Sequence, residues 1–190
     1  MTLLVQLSGG LDSVATLLLS NEKEKTEAFF VDYGQIPIRQ EREAARFVCS
    51  RTNIKLTEVK YRGMAMGSDD YIPIRNLVLG AMAAQYASSI GATTVVVGNK
   101  TNEYRKDDPW CWRDCTSSFF KLFTELIKEC SEENPVVFSM PLIGMSRAEV
   151  GKVVDLLGEK YEIKKENCWS CYANQEEPCG ICFHCKEGAL

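Results

Sequence analysis

The chain has 190 residues, 45% of them hydrophobic and 25% charged, which suits one compact domain with a sizeable core rather than a disordered segment or a repeat array. Its 22 Lys and Arg against 26 Asp and Glu give a formal charge of −4, so a broad basic face for nucleic-acid backbones is not expected. No uncharged apolar run reaches the ~18 residues needed to cross a bilayer, and the N-terminus leads into a glycine loop instead of a signal peptide; the expected compartment is the cytoplasm, with no membrane partner.

In chain order, residues 2–7 form an apolar run suited to a buried parallel strand, and 14–19 continue as the apolar face of a helix after a Gly-Gly turn. Residues 27–33 carry a second strand, 38–52 a helix with Ala44, Ala45, Phe47 and Val48 as apolar positions, and 54–61 a third strand. A polar stretch then leads to Pro73. The helix expected over 76–90 has small residues for close packing, and Gly91 ends it. Residues 93–97 are a β-rich strand closing on Gly98-Asn99, whereas 100–115 are irregular. A helix over 119–130, a strand over 135–140 and a capping box at Ser146-Arg147-Ala148-Glu149 opening a helix to 157 complete the pattern.

This alternation predicts an α/β fold, a doubly wound and mostly parallel sheet with helices on both faces. Ligands then bind at the C-terminal strand ends, where strand order switches, and the first strand is expected beside that switch. Two units are expected: residues 1–166 as a nucleotide-binding domain and 167–190 as a Cys-rich knuckle packed on it.

The loop Ser8-Gly9-Gly10-Leu11-Asp12-Ser13, between strand and helix, has what a phosphate site needs: backbone N–H groups, approach without β-carbons and a helix dipole behind it. Ser8 and Ser13 add hydroxyls, and Asp12 can hold Mg²⁺ or order the loop. The lysine of the GxxxxGK[ST] loop is missing, which excludes that kind of kinase or GTPase. Leu7 through Ser13 are therefore candidates for binding ATP, with Ser8, Asp12 and Ser13 also assigned to catalysis.

Five of the nine cysteines lie in the last 23 residues, a clustering that fits metal ligation in a reducing compartment better than disulfides. Cys171, Cys179, Cys182 and Cys185 form C-x7-C-x2-C-x2-C, the spacing of a tetrahedral and structural Zn²⁺ site. An iron–sulfur cluster is the competing occupant. Cys168 and His184 are spare ligand candidates.

Ser8 to Ser13 resembles the PP-loop of the ATP pyrophosphatases, which are adenine-nucleotide hydrolase-like in fold and adenylate a carboxyl, carbonyl or amide oxygen. With the tail Ser170-Cys171-Tyr172…Cys179-Gly180-x-Cys182-x-x-Cys185 the chain resembles the 7-cyano-7-deazaguanine (preQ0) synthase family along nearly its whole length. Asp32-Tyr33-Gly34-Gln35 with Glu41 downstream, Pro73-x-Arg75-Asn76, Gly98-Asn99 and Pro141-Leu142 extend the match. The resemblance implies conversion of 7-carboxy-7-deazaguanine, ATP and ammonia to the nitrile on the queuosine route, with Mg²⁺, bound zinc and a homodimer. Asp32, Gly34, Gln35, Gly98 and Asn99 are then expected to face ATP. Arg75, Asn76, Asp114 and Cys115 are expected to bind the base substrate, Arg75 with a catalytic share.

For Asp32 and Gln35 the plain alternative is a glycine-containing turn, for Arg75 and Asn76 a helix start, and for Asp114 and Cys115 a solvated loop with a buried thiol. Trp110 and Trp112 are candidates to stack on a flat base, Lys100 and Arg105 to neutralise ATP. Asp114-Cys115 is followed by Thr116 where the family has Arg, and Ser146 by Arg147 where it has Lys. The chain also ends at Leu190, soon after its last cysteine; a compact, phage-encoded form acting in a host cytoplasm would fit. The competing functions are another PP-loop enzyme, such as a tRNA-thiolating adenylase using Cys111 or Cys115, and a non-catalytic nucleotide-binding zinc scaffold.

Overall fold

The computed structural model describes residues 2–64, 72–107, 111–131, 135–173 and 175–186. Five strands form one sheet: β1 (Thr2–Gln6), β2 (Lys25–Asp32), β3 (Leu56–Lys60), β4 (Thr94–Val96) and β5 (Val137–Ser139), in the order β3-β2-β1-β4-β5. Every pairing in it is parallel. The chain steps outward from β1 to β2 and β3, then returns to β1's other edge as β4. Strand order therefore reverses at β1, and in sheets of this kind ligands bind beyond the C-terminal strand ends at such a switch, here those of β1 and β4.

Strand alternation divides the interior into two cores. On one face Val5, Ala28 and Phe30 pack with α1 (Leu11–Asn21), α2 (Ile38–Thr52) and α5 (Arg147–Gly158) through Val14, Leu17, Leu18, Ala45, Val48, Val150 and Val154. On the other, Leu4, Phe29 and Val95 meet α3 (Arg75–Ser89) and α4 (Ser117–Glu129) through Ala83, Ala87, Phe120 and Phe123. Each fully buried Leu or Phe stabilises the fold by about 1.5–3 kcal/mol. The small residues of α3 do what the sequence predicts: a methyl group at Gly80 would come within 2.4 Å of the Phe123 ring, so glycine sets how closely α4 approaches.

Most differences from the predicted elements are one or two residues at the ends. Helix α3 begins at Arg75, and α4 at Ser117 because Thr116 caps it by accepting the Phe119 N–H. The Ser146–Glu149 capping box is present, and Gly91 follows α3 with φ +70°. Among the described residues no helix is long and apolar enough to cross a membrane.

Candidate functional site

The glycine loop sits where the sequence predicts, between the end of β1 and the start of α1. Gly9 has φ +83°, and a methyl group there would lie 2.3 Å from the Glu41 carbonyl oxygen, so only glycine fits. At the end of β4 a methyl group on Gly98 would lie 3.0 Å from the Ser13 nitrogen, which brings Gly98 against the first turn of α1. Gly10 is the N-cap residue of α1 and has no side chain to offer the free N–H groups.

Hydroxyls fill part of that gap. Ser13 Oγ accepts the Ser8 N–H at 3.1 Å and donates to the Gly10 carbonyl at 2.9 Å, while Ser8 Oγ accepts the Gly10 N–H at 3.3 Å. A third hydroxyl comes from far along the chain: Ser170 Oγ accepts the Leu11 N–H at 3.4 Å, and the Trp169 N–H donates to the Gly9 carbonyl at 2.9 Å. The segment leading into the cysteines therefore braces the loop, a contact that no local pattern announces. Leu7 and Leu11 are buried in the core, leaving only their backbone to face a ligand.

Asp12 Oδ1 is buried without a hydrogen-bond partner, and Lys100 Nζ stands 3.6 Å away, beyond hydrogen-bonding range. An oxygen in that situation suits a cation. Asp32, at the end of β2, is differently placed. Its carboxylate is buried and held by Arg42 at 2.5 Å, Arg62 at 3.1 Å and the Gly34 N–H at 3.1 Å. Burial raises its pKa, but hydrogen bonds from Arg62, Arg42 and Gly34 outweigh that and hold it below the ordinary carboxylate value. Gln35 is buried too; it accepts the Tyr33 N–H at 3.0 Å and donates to Glu41 Oε2 at 2.8 Å. Gly34 is exposed and Asn99 half-buried, just beyond the C-terminal ends of β2 and β4.

The predicted base-binding residues come together on the neighbouring side. Asn76 donates its backbone N–H to Asp114 Oδ2 at 3.1 Å and its side-chain Nδ2 to the Asp114 carbonyl at 3.0 Å and Cys115 Sγ at 3.2 Å. The short 3-10 turn Arg113–Cys115 is thereby fastened to the start of α3. Burial works against the charge of Arg75, yet the surrounding Tyr33, Cys115, Tyr172 and Asp114 more than compensate, so the guanidinium stays ionised. The preceding Ile74 has φ +52°, a strained setting for a β-branched side chain that is also 62% exposed. Burial, with Asp114 beside it, pushes Cys115 up to about 11. Trp112 and Arg105 lie in the described part of this irregular stretch, whereas Trp110 falls outside the described residues.

The sulfurs of Cys171, Cys179, Cys182 and Cys185 all lie within 4.8 Å of one another, with Cys179–Cys185 at 3.9 Å and Cys182–Cys185 at 3.4 Å. Tetrahedral zinc with Zn–S near 2.3 Å needs sulfurs about 3.8 Å apart, so the donor set fits a metal such as zinc. The Ala173 and Cys179 N–H groups donate to Cys171 Sγ, and the Ile181 and Cys182 N–H groups pull Cys179 down to about 6, stabilising thiolate there. Cys168 belongs to the apolar core, where burial pushes it up to about 12, and it stands apart from the four. The side chain of His184 lies outside the described residues.

Comparison with known proteins agrees with this geometry. The family model described as queuosine biosynthesis protein QueC matches residues 2–70 and 64–189. A 7-cyano-7-deazaguanine synthase of Methanosphaera stadtmanae is 29% identical over 95% of this chain and 88% of its own length, and one of Chlorobaculum parvum is 28% identical over 94% and 86%. Among solved structures, the NMN synthetase of Francisella tularensis superposes with a TM-score of 0.50 at 13% identity over 94% of this chain and 70% of that one, a likeness of fold alone. A phosphate-type loop at the switch of a parallel sheet, a four-cysteine cluster and a match across both halves place this chain in the QueC family of queuosine biosynthesis proteins.

Proposed function

We propose that the protein is an ATP-dependent carbon–nitrogen ligase that converts 7-carboxy-7-deazaguanine and ammonia to 7-cyano-7-deazaguanine. The observation that carries this reading is the loop Ser8–Ser13 at the C-terminal end of the central strand, braced by the segment that enters the cysteine cluster. A carboxylate is a poor acceptor for ammonia, so ATP first turns it into an adenylate with a good leaving group. Ammonia gives the amide, and a second adenylation on the amide oxygen permits loss of the oxygen to leave the nitrile. The loop N–H groups and α1's positive end stabilise charge on departing pyrophosphate in both rounds.

In this reading Leu7–Ser13, Gly34, Gln35, Gly98 and Asn99 surround ATP. Asp12 Oδ1 would hold the Mg²⁺ that arrives with the nucleotide, which adds charge neutralisation. Asp32 acts by ordering the end of β2 between its two arginines. Arg75 engages the substrate carboxylate, with Asn76, Asp114 and Cys115 shaping the base pocket. The four cysteines hold zinc, which fixes the chain around the loop brace and supplies no reactive position. The enzyme works as a homodimer in the cytoplasm on small molecules.

A tRNA-thiolating role needs a nucleophilic cysteine, and neither candidate suits it. Cys115 is held as a thiol, and Cys111 is buried, accepting the Arg105 N–H at 3.2 Å. The test incubates the protein with 7-carboxy-7-deazaguanine, ATP, Mg²⁺ and ammonium and follows product mass and AMP. Nitrile with AMP is expected. ATP binding with neither amide nor nitrile would overturn the reading in favour of a non-catalytic scaffold, and thionucleosides in tRNA in favour of the thiolating enzyme.

A further inference from the structure

Amide formation needs a proton acceptor, because ammonia is present at neutral pH almost wholly as ammonium and only its free lone pair attacks. The chain's one histidine lies in the cysteine tail, and a carboxylate is the next side chain suited to the task. Among the described residues, the carboxylates beside the loop other than Glu41 are each engaged by a cation or a backbone N–H. Asp12 lies in the nucleotide loop beside Lys100, Asp32 is clamped by Arg42 and Arg62, Glu58 is held by Arg42 and Arg46, and Asp114 fastens the start of α3.

Glu41 differs from all of these. It lies in the first turn of α2, and its backbone carbonyl touches Gly9 of the loop. Its carboxyl takes its hydrogen bond from a neutral amide, Gln35 Nε2, which is itself fixed by the Tyr33 N–H and the Val31 carbonyl. The charged and titratable groups facing it are Arg75 from α3 and Tyr33 from the end of β2. A carboxyl bonded to a neutral donor tolerates both protonation states, whereas one clamped by guanidinium does not.

We propose, resting on the ligase reading above, that Glu41 is the catalytic base that takes a proton from ammonium beside the adenylated carboxyl. Ammonium transfers H⁺ to the Glu41 carboxylate, leaving NH₃ and a neutral carboxylic acid. The nitrogen lone pair forms the C–N bond to the acyl carbon, and the C–O bond to AMP breaks with its electron pair going to the phosphate oxygen. The surplus proton on nitrogen passes to water, and the buried Glu41 carboxyl gives up its proton to water that re-enters when the products leave. Burial, opposed by Gln35 and Arg75, raises Glu41 to about 7, which suits a base working near neutrality.

The test compares wild type with Glu41→Gln and Glu41→Asp, each checked for wild-type-like melting. Adenylation alone is read as carboxylate-dependent ATP–pyrophosphate exchange without ammonium, and the second reading is amide formation against pH. Glu41→Gln should keep exchange within about threefold and lose about 100-fold in ammonium-dependent kcat/KM. It should also lose the acid limb near pH 7, with Glu41→Asp recovering part of the rate. Hydroxylamine, largely uncharged at neutral pH, should rescue Glu41→Gln; in wild type it should abolish the limb, a readout that does not depend on the variant folding. An unchanged Glu41→Gln profile with ammonium, or equal loss of exchange and amide without hydroxylamine rescue, would overturn the assignment. Wild type that shows neither exchange nor product would instead overturn the ligase reading, and this inference with it.

Discussion

The nucleotide loop and the cluster around Arg75 lie side by side but are built differently. Around Ser8–Ser13 main chain packs on main chain, Gly9 against the Glu41 carbonyl, Gly98 against Ser13 and Trp169 against the Gly9 carbonyl, and the Ser8, Ser13 and Ser170 hydroxyls bond to loop backbone groups. Around Arg75 they are side-chain hydrogen bonds, Asn76 tying Asp114 and Cys115 to a helix that starts from a strained Ile74. A backbone cradle permits one geometry and serves any adenylating enzyme. Side-chain contacts can be retuned, and Thr116, the residue after Asp114-Cys115, adjoins this cluster through its bond to the Arg113 carbonyl.

The largest effect should come from the cradle itself. Gly9→Ala puts a methyl group into the Glu41 carbonyl at a backbone angle unfavourable to alanine, and ATP–pyrophosphate exchange should fall by about 100-fold or more. Near-normal exchange would break the contrast between rigid loop and adjustable pocket.

Next comes the brace. Cys171→Ser should abolish metal content by elemental analysis and, because Trp169 and Ser170 lose their anchor, weaken ATP binding about tenfold in calorimetry. Cys168→Ala, in the core and outside the cluster, should keep the metal while lowering Tm. Identical metal loss in both variants would contradict the ligand set.

Asn76→Ala should sharpen the comparison from the other side. It should raise KM for the deazaguanine acid about tenfold and leave KM for ATP unchanged, with a stability cost of about 1 kcal/mol.

The smallest effect is the acid dependence of Asp32. Its folded pKa lies below the ordinary 3.8, so the unfolded chain binds more protons as pH falls. Its contribution is complete above the unfolded value and is lost as pH drops through the folded one. Asp32→Asn should therefore lower stability at pH 6–7 while closing the gap to wild type near pH 2–3, as read by denaturant titration.

What was legible in the sequence follows the same division. Strand alternation, Gly-Gly before a helix, a small-residue helix and repeated CxxC steps are local signals, and the sheet, the loop, α3 and the cysteine cluster all follow from them. The Cys168 question closed only when folding carried that residue into the core. Ser170 reaching Leu11 across 159 positions left no local signal, nor did the two arginines that clamp Asp32. Glu41 was visible as part of a motif, but its neutral hydrogen-bond donor and its place against Gly9 depend on the chain's return past the loop. Contacts of that kind depend on three-dimensional packing, which periodicity and spacing do not encode.

The most direct test of the central claim, one nucleotide loop serving two successive activations, is the ratio of AMP to nitrile in a quantitative turnover. Starting from the carboxylic acid the account predicts two AMP for each nitrile formed, and starting from the corresponding amide only one. Nitrile from the acid with a single AMP, or an amide that this protein cannot process, would contradict it.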